Sequence, residues 1–117
     1  MLGILAALFS TLEGSYLVTG YDNSETKKWY QGSAEITKAG DVYHVTWEFL
    51  LDGKEYNDIG TGIRVGDQFS IVFKSIPSQE LQYEGLEVLK IKGDSLEGPY
   101  VLFGEKKLGF ERMKKTE

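Results

Sequence analysis

The sequence YHVTWEF at residues 43–49 alternates bulky apolar side chains with polar ones. Tyr43, Val45, Trp47 and Phe49 fall on one side of an extended strand, and the polar residues between them fall on the other. A period of two residues indicates a strand with one buried face, because an amphipathic helix repeats its apolar positions about every 3.6 residues. This stretch therefore predicts a sheet with an aromatic interior.

The same alternation continues on both sides of this strand, with turn residues between the apolar runs. Ala39-Gly40-Asp41 predicts a hairpin before it, and Asp52-Gly53 predicts one after it. Strands are predicted at residues 15–21, 30–37, 43–49, 55–65, 68–73, 81–92, 96–102 and 107–115. Short connections pair successive strands as hairpins, and about eight such strands can close on themselves. We therefore expect an all-β, up-and-down antiparallel barrel of about eight strands.

Glycine recurs on the apolar face of the predicted strands. It follows a bulky residue by two positions in Tyr30-Gln31-Gly32, Tyr83-Glu84-Gly85 and Leu96-Glu97-Gly98. A glycine at such a position lets a strand bend or lets a neighbouring segment approach closely. Repetition of this arrangement favours a curled, closed sheet over a flat one.

Three stretches resemble the calycin-type barrels, the group that includes avidins, lipocalins and similar small bacterial proteins: Gly14-x-Tyr16-x-Val18, Tyr30-x-Gly32-x-Ala34-x-Ile36 and Gly109-x-Glu111. The resemblance is one of pattern and covers most of the chain. It implies an antiparallel barrel with a cavity open at one end. It implies no particular ligand, since the biotin-site sequences of avidins and the lipocalin Gly-x-Trp signature are both missing.

Composition limits the kinds of partner. The chain has 117 residues and a net charge of −5, which predicts one domain over residues 1–117 and disfavours a nucleic acid partner. It has no cysteine, so neither disulfides nor thiolate-bound metals are expected. The same absence is compatible with a cytoplasmic or an exported protein, and the sequence does not decide between them.

The N-terminal segment, residues 1–13, contains the apolar run Leu2–Phe9. This run is far shorter than the ~20 residues needed for a transmembrane helix. A secretory signal has a lysine or arginine before its apolar run, and none precedes this one. We predict a short helix that covers one end of the barrel or an apolar surface patch, in preference to the remnant of an export signal.

Catalytic chemistry is weakly represented. The single histidine, His44, lies on the polar face of its strand, and no paired histidines, phosphate loop or dinucleotide motif is present. Four acidic residues lie on neighbouring predicted hairpins: Glu35, Glu48, Glu55 and Asp58. Glu35 and Glu48 fall on polar faces, where solvent exposure is expected. We predict no catalytic residue, no metal site and no cofactor.

The candidate ligand-binding residues are those predicted to lie in the interior. Five are aromatic and one is a cation: Tyr30, Tyr43, Trp47, Arg64, Phe69 and Tyr100. Arg64 shares a strand face with Gly60 and Gly62, and the sequence leaves open which face of that strand points inward. If the face that carries Arg64 points inward, this residue could bind a carboxylate or phosphate. The alternative is an interior filled by these same side chains.

Two functions follow from these alternatives. The first is non-catalytic binding of a small apolar or amphipathic molecule inside the barrel. The second is a filled barrel that acts as a protein interaction or structural module, including self-association, through its N-terminal segment or its outer face. Trp29, Val42 and Val72 would then be exposed apolar anchors. An enzyme is the third and least favoured hypothesis.

Overall fold

The computed structural model describes residues 11–116, and in this range eight strands form a closed antiparallel barrel. The strands are β1 (Gly14–Tyr21), β2 (Trp29–Ala39), β3 (Val42–Leu51), β4 (Lys54–Val65), β5 (Gln68–Ser75), β6 (Glu84–Lys92), β7 (Ser95–Leu102) and β8 (Leu108–Lys115). Each strand pairs with the next one in sequence, and β8 pairs with β1 to close the barrel. The predicted all-β, up-and-down barrel is confirmed. No helix in residues 11–116 is long and apolar enough to cross a membrane.

The alternation that predicted the strands has the expected orientation in β3. Tyr43, Val45 and Trp47 are buried, whereas His44 and Glu48 are exposed. In β4, where the sequence left the inner face open, Gly60 and Gly62 point inward. Side chains of β5 occupy the space beside them, because a Cβ on Gly62 would meet the Phe69 ring.

The predicted strand boundaries differ from the observed ones by at most three residues, and the largest difference is at the start of the sixth strand. The sixth strand was expected from Leu81, but β6 begins at Glu84. Hydrogen bonds that involve side chains hold residues 76–83 as a loop. Gln82 Nε2 donates to the carbonyl of Ile76 at 2.9 Å, and the backbone N–H of Tyr83 donates to Ser75 Oγ at 3.0 Å.

The barrel has two unlike ends. At the closed end, the β2–β3, β4–β5 and β6–β7 turns are each a Gly-Asp pair, with φ of 66°, 62° and 61° at Gly40, Gly66 and Gly93. Glycine adopts this left-handed conformation without strain, which permits tight turns. At the open end, the connections are residues 22–28, 52–53, 76–83 and 103–107, most of them longer.

The closed end is filled by apolar side chains. Those buried there include Ile36, Tyr43, Phe69, Ile71, Leu89, Leu96 and Met113. Leu12 is also buried and contributes to this core, and its carbonyl accepts a hydrogen bond from Tyr16 Oη at 2.6 Å. Residues 11–13 have no regular secondary structure, and the rest of the predicted N-terminal helix, residues 1–10, lies outside the described residues.

Candidate ligand cavity

A cavity of about 200 Å³ occupies the open end of the barrel. Its walls include the rings of Phe49, Tyr56 and Phe73, and its polar groups include the carboxyl groups of Glu87 and Glu111. An apolar cavity of about 150 Å³ can hold benzene, whereas pockets for drug-sized molecules usually exceed about 300 Å³. The space therefore suits a molecule built on a single ring.

Glycines on neighbouring strands make room for the polar side chains of the cavity. Glu111 on β8 lies between Gly20 of β1 and Gly98 of β7 in the strand register. Tyr100 lies directly opposite Gly109, where a Cβ would overlap the tyrosine ring. The small residues therefore allow bulky polar groups to turn into the barrel without pushing the strands apart.

Glu111 accepts hydrogen bonds on both of its carboxyl oxygens. Tyr30 Oη donates to its Oε1 at 3.3 Å, and Trp47 Nε1 donates to its Oε2 at 3.2 Å. Burial raises the pKa of Glu111, while hydrogen bonds from Glu87, Tyr30 and Trp47 act in the opposite direction. Because donors approach both of its oxygens, Glu111 is arranged to accept hydrogen bonds as a carboxylate.

Glu87 is the acid that interacts with Glu111 inside the barrel. Its side chain is buried, with only 2% of the residue exposed, and its Oε1 has no hydrogen-bond partner among residues 11–116. Burial, the charge of Glu111 and the hydrogen bond between the two acids raise the pKa of Glu87 well above its usual 4.5. Glu87 is therefore the member of the pair that keeps its proton to the higher pH.

Asp58 is a third acid on the cavity wall, and it is also buried. Tyr83 Oη donates to its Oδ1 at 2.6 Å. Burial is the main cause that raises the pKa of Asp58 from 3.8 to about 7; the hydrogen bond from Tyr83 lowers it, and the charge of Glu111 raises it further. Asp58 therefore changes its charge near neutral pH.

The described lining of the cavity contains no positive charge to balance these acids. None of the described residues that line it is lysine, arginine or histidine. Within residues 11–116 there is also no group of three or more acidic or histidine side chains placed to hold a metal ion. The arrangement can accept hydrogen bonds, attract a cation or exchange protons with a bound molecule.

The structure brings together three of the six predicted ligand-binding residues. Tyr30, Trp47 and Tyr100 all line the cavity. Tyr43 and Phe69 do not, because they pack edge to face at the closed end with their ring centroids 5.5 Å apart. Arg64 also lies at the closed end, where its Nε donates to the carbonyl of Gly66 at 2.9 Å. The arginine is thus away from the cavity, and an anion bound there would not meet it.

The acids of the cavity were largely missed by sequence reasoning. Glu35, Glu48 and Glu55 are exposed, and Asp58 is the one member of that predicted set that is buried. Glu87 shares the inward face of β6 with Gly85 and Leu89, and Glu111 shares that of β8 with Met113. For Glu111, the position two residues before Met113 was the available signal, whereas the pattern of β6 gave no such signal for Glu87.

Comparison with known proteins gives a fold and no family. No protein-family model and no curated protein matches the chain. The solved structure of a redesigned beta barrel, mFAP1, bound to DFHBI is similar, with a TM-score of 0.75 and 15% sequence identity over 89% of this chain and 94% of that one. At this identity the likeness shows that the two proteins share the fold of an eight-stranded antiparallel barrel.

Proposed function

We propose that the protein is a calycin-like binding barrel that takes a small apolar or amphipathic molecule into its open end and does not convert it chemically. The cavity carries this proposal, because an apolar hollow with a few convergent polar groups is typical of ligand sites. The similar barrel mFAP1 was solved bound to DFHBI, which supports ligand binding by this architecture.

The walls of the cavity suit a flat ring. The Phe49 and Tyr56 rings are stacked with centroids 5.3 Å apart, and Phe49 also packs against Tyr30 at 4.9 Å. Tyr30, Trp47 and Tyr100, which the sequence predicted as ligand-binding residues, are proposed to contact the guest. The volume of about 200 Å³ favours one ring with a short substituent over a long acyl chain.

Fluorescence of Trp47 can test the proposal. Trp29 is exposed and is the other tryptophan in the chain, so a Trp29→Phe background leaves Trp47 as the reporter. Titration with 2-phenylethanol should change the emission of Trp47 saturably with a stoichiometry of one to one. Absence of binding to the folded protein would contradict the proposal.

A matched pair of variants locates the bound molecule. Leu102→Phe adds bulk inside the cavity, whereas Leu86→Phe adds the same bulk to the outer face of the neighbouring strand. We expect the first variant to weaken binding at least about tenfold by filling the space, and the second to leave it unchanged. Equal effects of the two substitutions would mean that the molecule binds elsewhere.

A second candidate function is docking through the outer face. Trp29 and Val72 are 69% and 55% exposed, as an apolar anchor requires, whereas Val42 is half-buried. If these side chains mediate self-association, light scattering over a concentration series will show oligomers that a Trp29→Ser and Val72→Ser variant lacks. A monomer at all concentrations would exclude self-association through this surface.

A further inference from the structure

We propose that the molecule bound at the open end carries a protonated amine, which Glu87 and Glu111 hold inside the cavity. This inference rests on the proposed function, because it names the chemical class of the molecule that the cavity would take.

The first support is an unfilled hydrogen-bonding position. Glu87 lines the cavity, is 2% exposed, and has an Oε1 atom without a hydrogen-bond partner in the described structure. A buried acceptor without a partner is unfavourable, so a donor delivered by a bound molecule would be stabilised there. An ammonium group has three N–H donors and can reach Glu87 and Glu111 together.

The second support is charge. Glu87, Glu111 and Asp58 face one cavity whose described lining contains no basic side chain. A water molecule could also donate to Glu87, but it would not neutralise the buried charge. A carboxylate or phosphate guest would be repelled, whereas a cation would provide the counter-charge that none of the described lining residues provides.

The third support is the arrangement of apolar and polar surface. Glu111 lies with Tyr30 and Trp47 within the barrel, while Phe49 and Tyr56 form a stacked aromatic wall at the β3–β4 hairpin. A compound with one ring and an amine on a short chain can therefore place its charge against the acids and its ring against this wall.

Three probes of similar size separate the possible outcomes. Calorimetry at pH 7 would compare phenethylamine, which is cationic, with 2-phenylethanol, which is neutral, and phenylacetate, which is anionic. We expect the amine to bind at least about tenfold more tightly than the alcohol, since hydrogen bonds to charged groups are the stronger ones, and the anion to bind most weakly. Binding of the alcohol as tightly as the amine would overturn the inference and leave the proposed function standing. Failure of all three probes would overturn both.

Substitutions of the two acids assign the effect to them. Glu111→Gln and Glu87→Gln keep the size of each side chain and remove its ability to carry charge. Each should weaken phenethylamine binding about tenfold and leave 2-phenylethanol binding within about twofold. Glu48→Gln, on the exposed face of β3, is the control and should change neither. An unchanged preference for the amine in both acid variants would overturn the inference, and Glu87→Gln decides the outcome if Glu111→Gln does not fold.

The pH dependence gives a further measurement. The titratable groups that face Glu87 are Glu111 on β8, Asp58 on β4, and Tyr30 and Tyr100 on β2 and β7. Because the acids lose protons as the pH rises and the amine remains charged, amine affinity should increase between pH 5 and pH 8, with release of a proton to the buffer on binding. An amine affinity independent of pH, with no proton release, would contradict the assignment.

Discussion

The two ends of this barrel are made by the same eight strands and differ in what those strands place inside. At the closed end, Tyr43 packs edge to face against Phe69, and both are buried. At the open end, Tyr30 and Trp47 instead donate hydrogen bonds to a buried glutamate beside a cavity. Similar aromatic residues therefore serve as packing at one end and as hydrogen-bond donors at the other.

The difference shows that the inward face of one strand can contribute to the packed core at one end and to the cavity at the other. Along β3, Tyr43 lies opposite Gly62 in the apolar core, and four residues later Trp47 lies opposite Asp58. Dense apolar packing stabilises a fold, whereas buried acids without counter-charges destabilise it. We therefore expect the closed end to contribute most of the stability and the open end most of the binding.

The largest effect should come from truncating a ring at the closed end. Phe69→Ala removes a fully buried side chain and should lower the free energy of unfolding by about 3–5 kcal/mol. Phe49→Ala, at the half-buried cavity wall, should cost only about 1–2 kcal/mol. Urea unfolding of both variants checks the contrast. Equal losses would mean that the two ends contribute alike.

The next effect concerns the space beside Tyr100. Gly109→Ala places a methyl group where the Tyr100 ring lies and should cost about 1–3 kcal/mol while weakening ligand binding. In a Tyr100→Ala background, the same substitution should cost much less, because the ring is gone. A double-mutant cycle measured by urea unfolding gives the coupling between the two residues. An additive result would show that Gly109 is needed for some reason other than the tyrosine.

A moderate effect is expected from pH. The raised pKa of Asp58 means that between pH 3.8 and about 7 the folded chain binds a proton that the unfolded chain releases. The free energy of unfolding should therefore fall as the pH rises through this window, and the melting temperature should be about 5 °C higher at pH 5 than at pH 7.

Asp58→Asn isolates this contribution. The variant should show a flatter dependence of stability on pH, whereas Glu48→Gln on the exposed outer face should keep the wild-type slope. Thermal melts of the three proteins across this pH range provide the measurement. A slope in Asp58→Asn identical to that of the wild type would assign the dependence to Glu87 and Glu111 alone.

The smallest effect is expected from Arg64. Because its side chain lies at the closed end, Arg64→Ala should leave the affinity for ligands of the cavity within about twofold. Titration of Trp47 fluorescence checks this expectation. A large loss of affinity would mean that the guest extends through the barrel and would remove the distinction between the two ends.

The fold was predictable because its determinants are local. Alternation in YHVTWEF and the Gly-Asp turn pairs specify strands and hairpins within a few residues of sequence. Which end of the barrel is packed and which end holds the cavity was not predictable in this way. Tyr43 and Trp47 have the same parity in β3, and their positions along the strand, opposite Gly62 and Asp58 of β4, place one at the closed end and the other at the cavity.

The buried acids were missed for a related reason. A charged residue in a strand is usually exposed, and this expectation is correct for Glu35 and Glu48. In β6, however, Leu86 and Val88 on the outer face are as apolar as Leu89 on the inner face. The pattern of β6 therefore does not show by itself that Glu87 points inward. Glu87 and Glu111 lie on β6 and β8, which flank β7, so three strands must pair before the two acids come together.

The pairing of β1 with β8 has a consequence for how the protein folds. This seam joins strands from opposite ends of the sequence, with Tyr21 opposite Phe110 and Tyr16 opposite Lys115. Contacts so distant in sequence form slowly, because a long loop must be ordered before they are made. A chain with only its hairpins formed would lack the position of Glu111 against Tyr30 and Trp47. The burial of Trp47 beside Glu111 should therefore report the last step of folding, and stopped-flow refolding followed by Trp47 fluorescence should show it as the slowest phase.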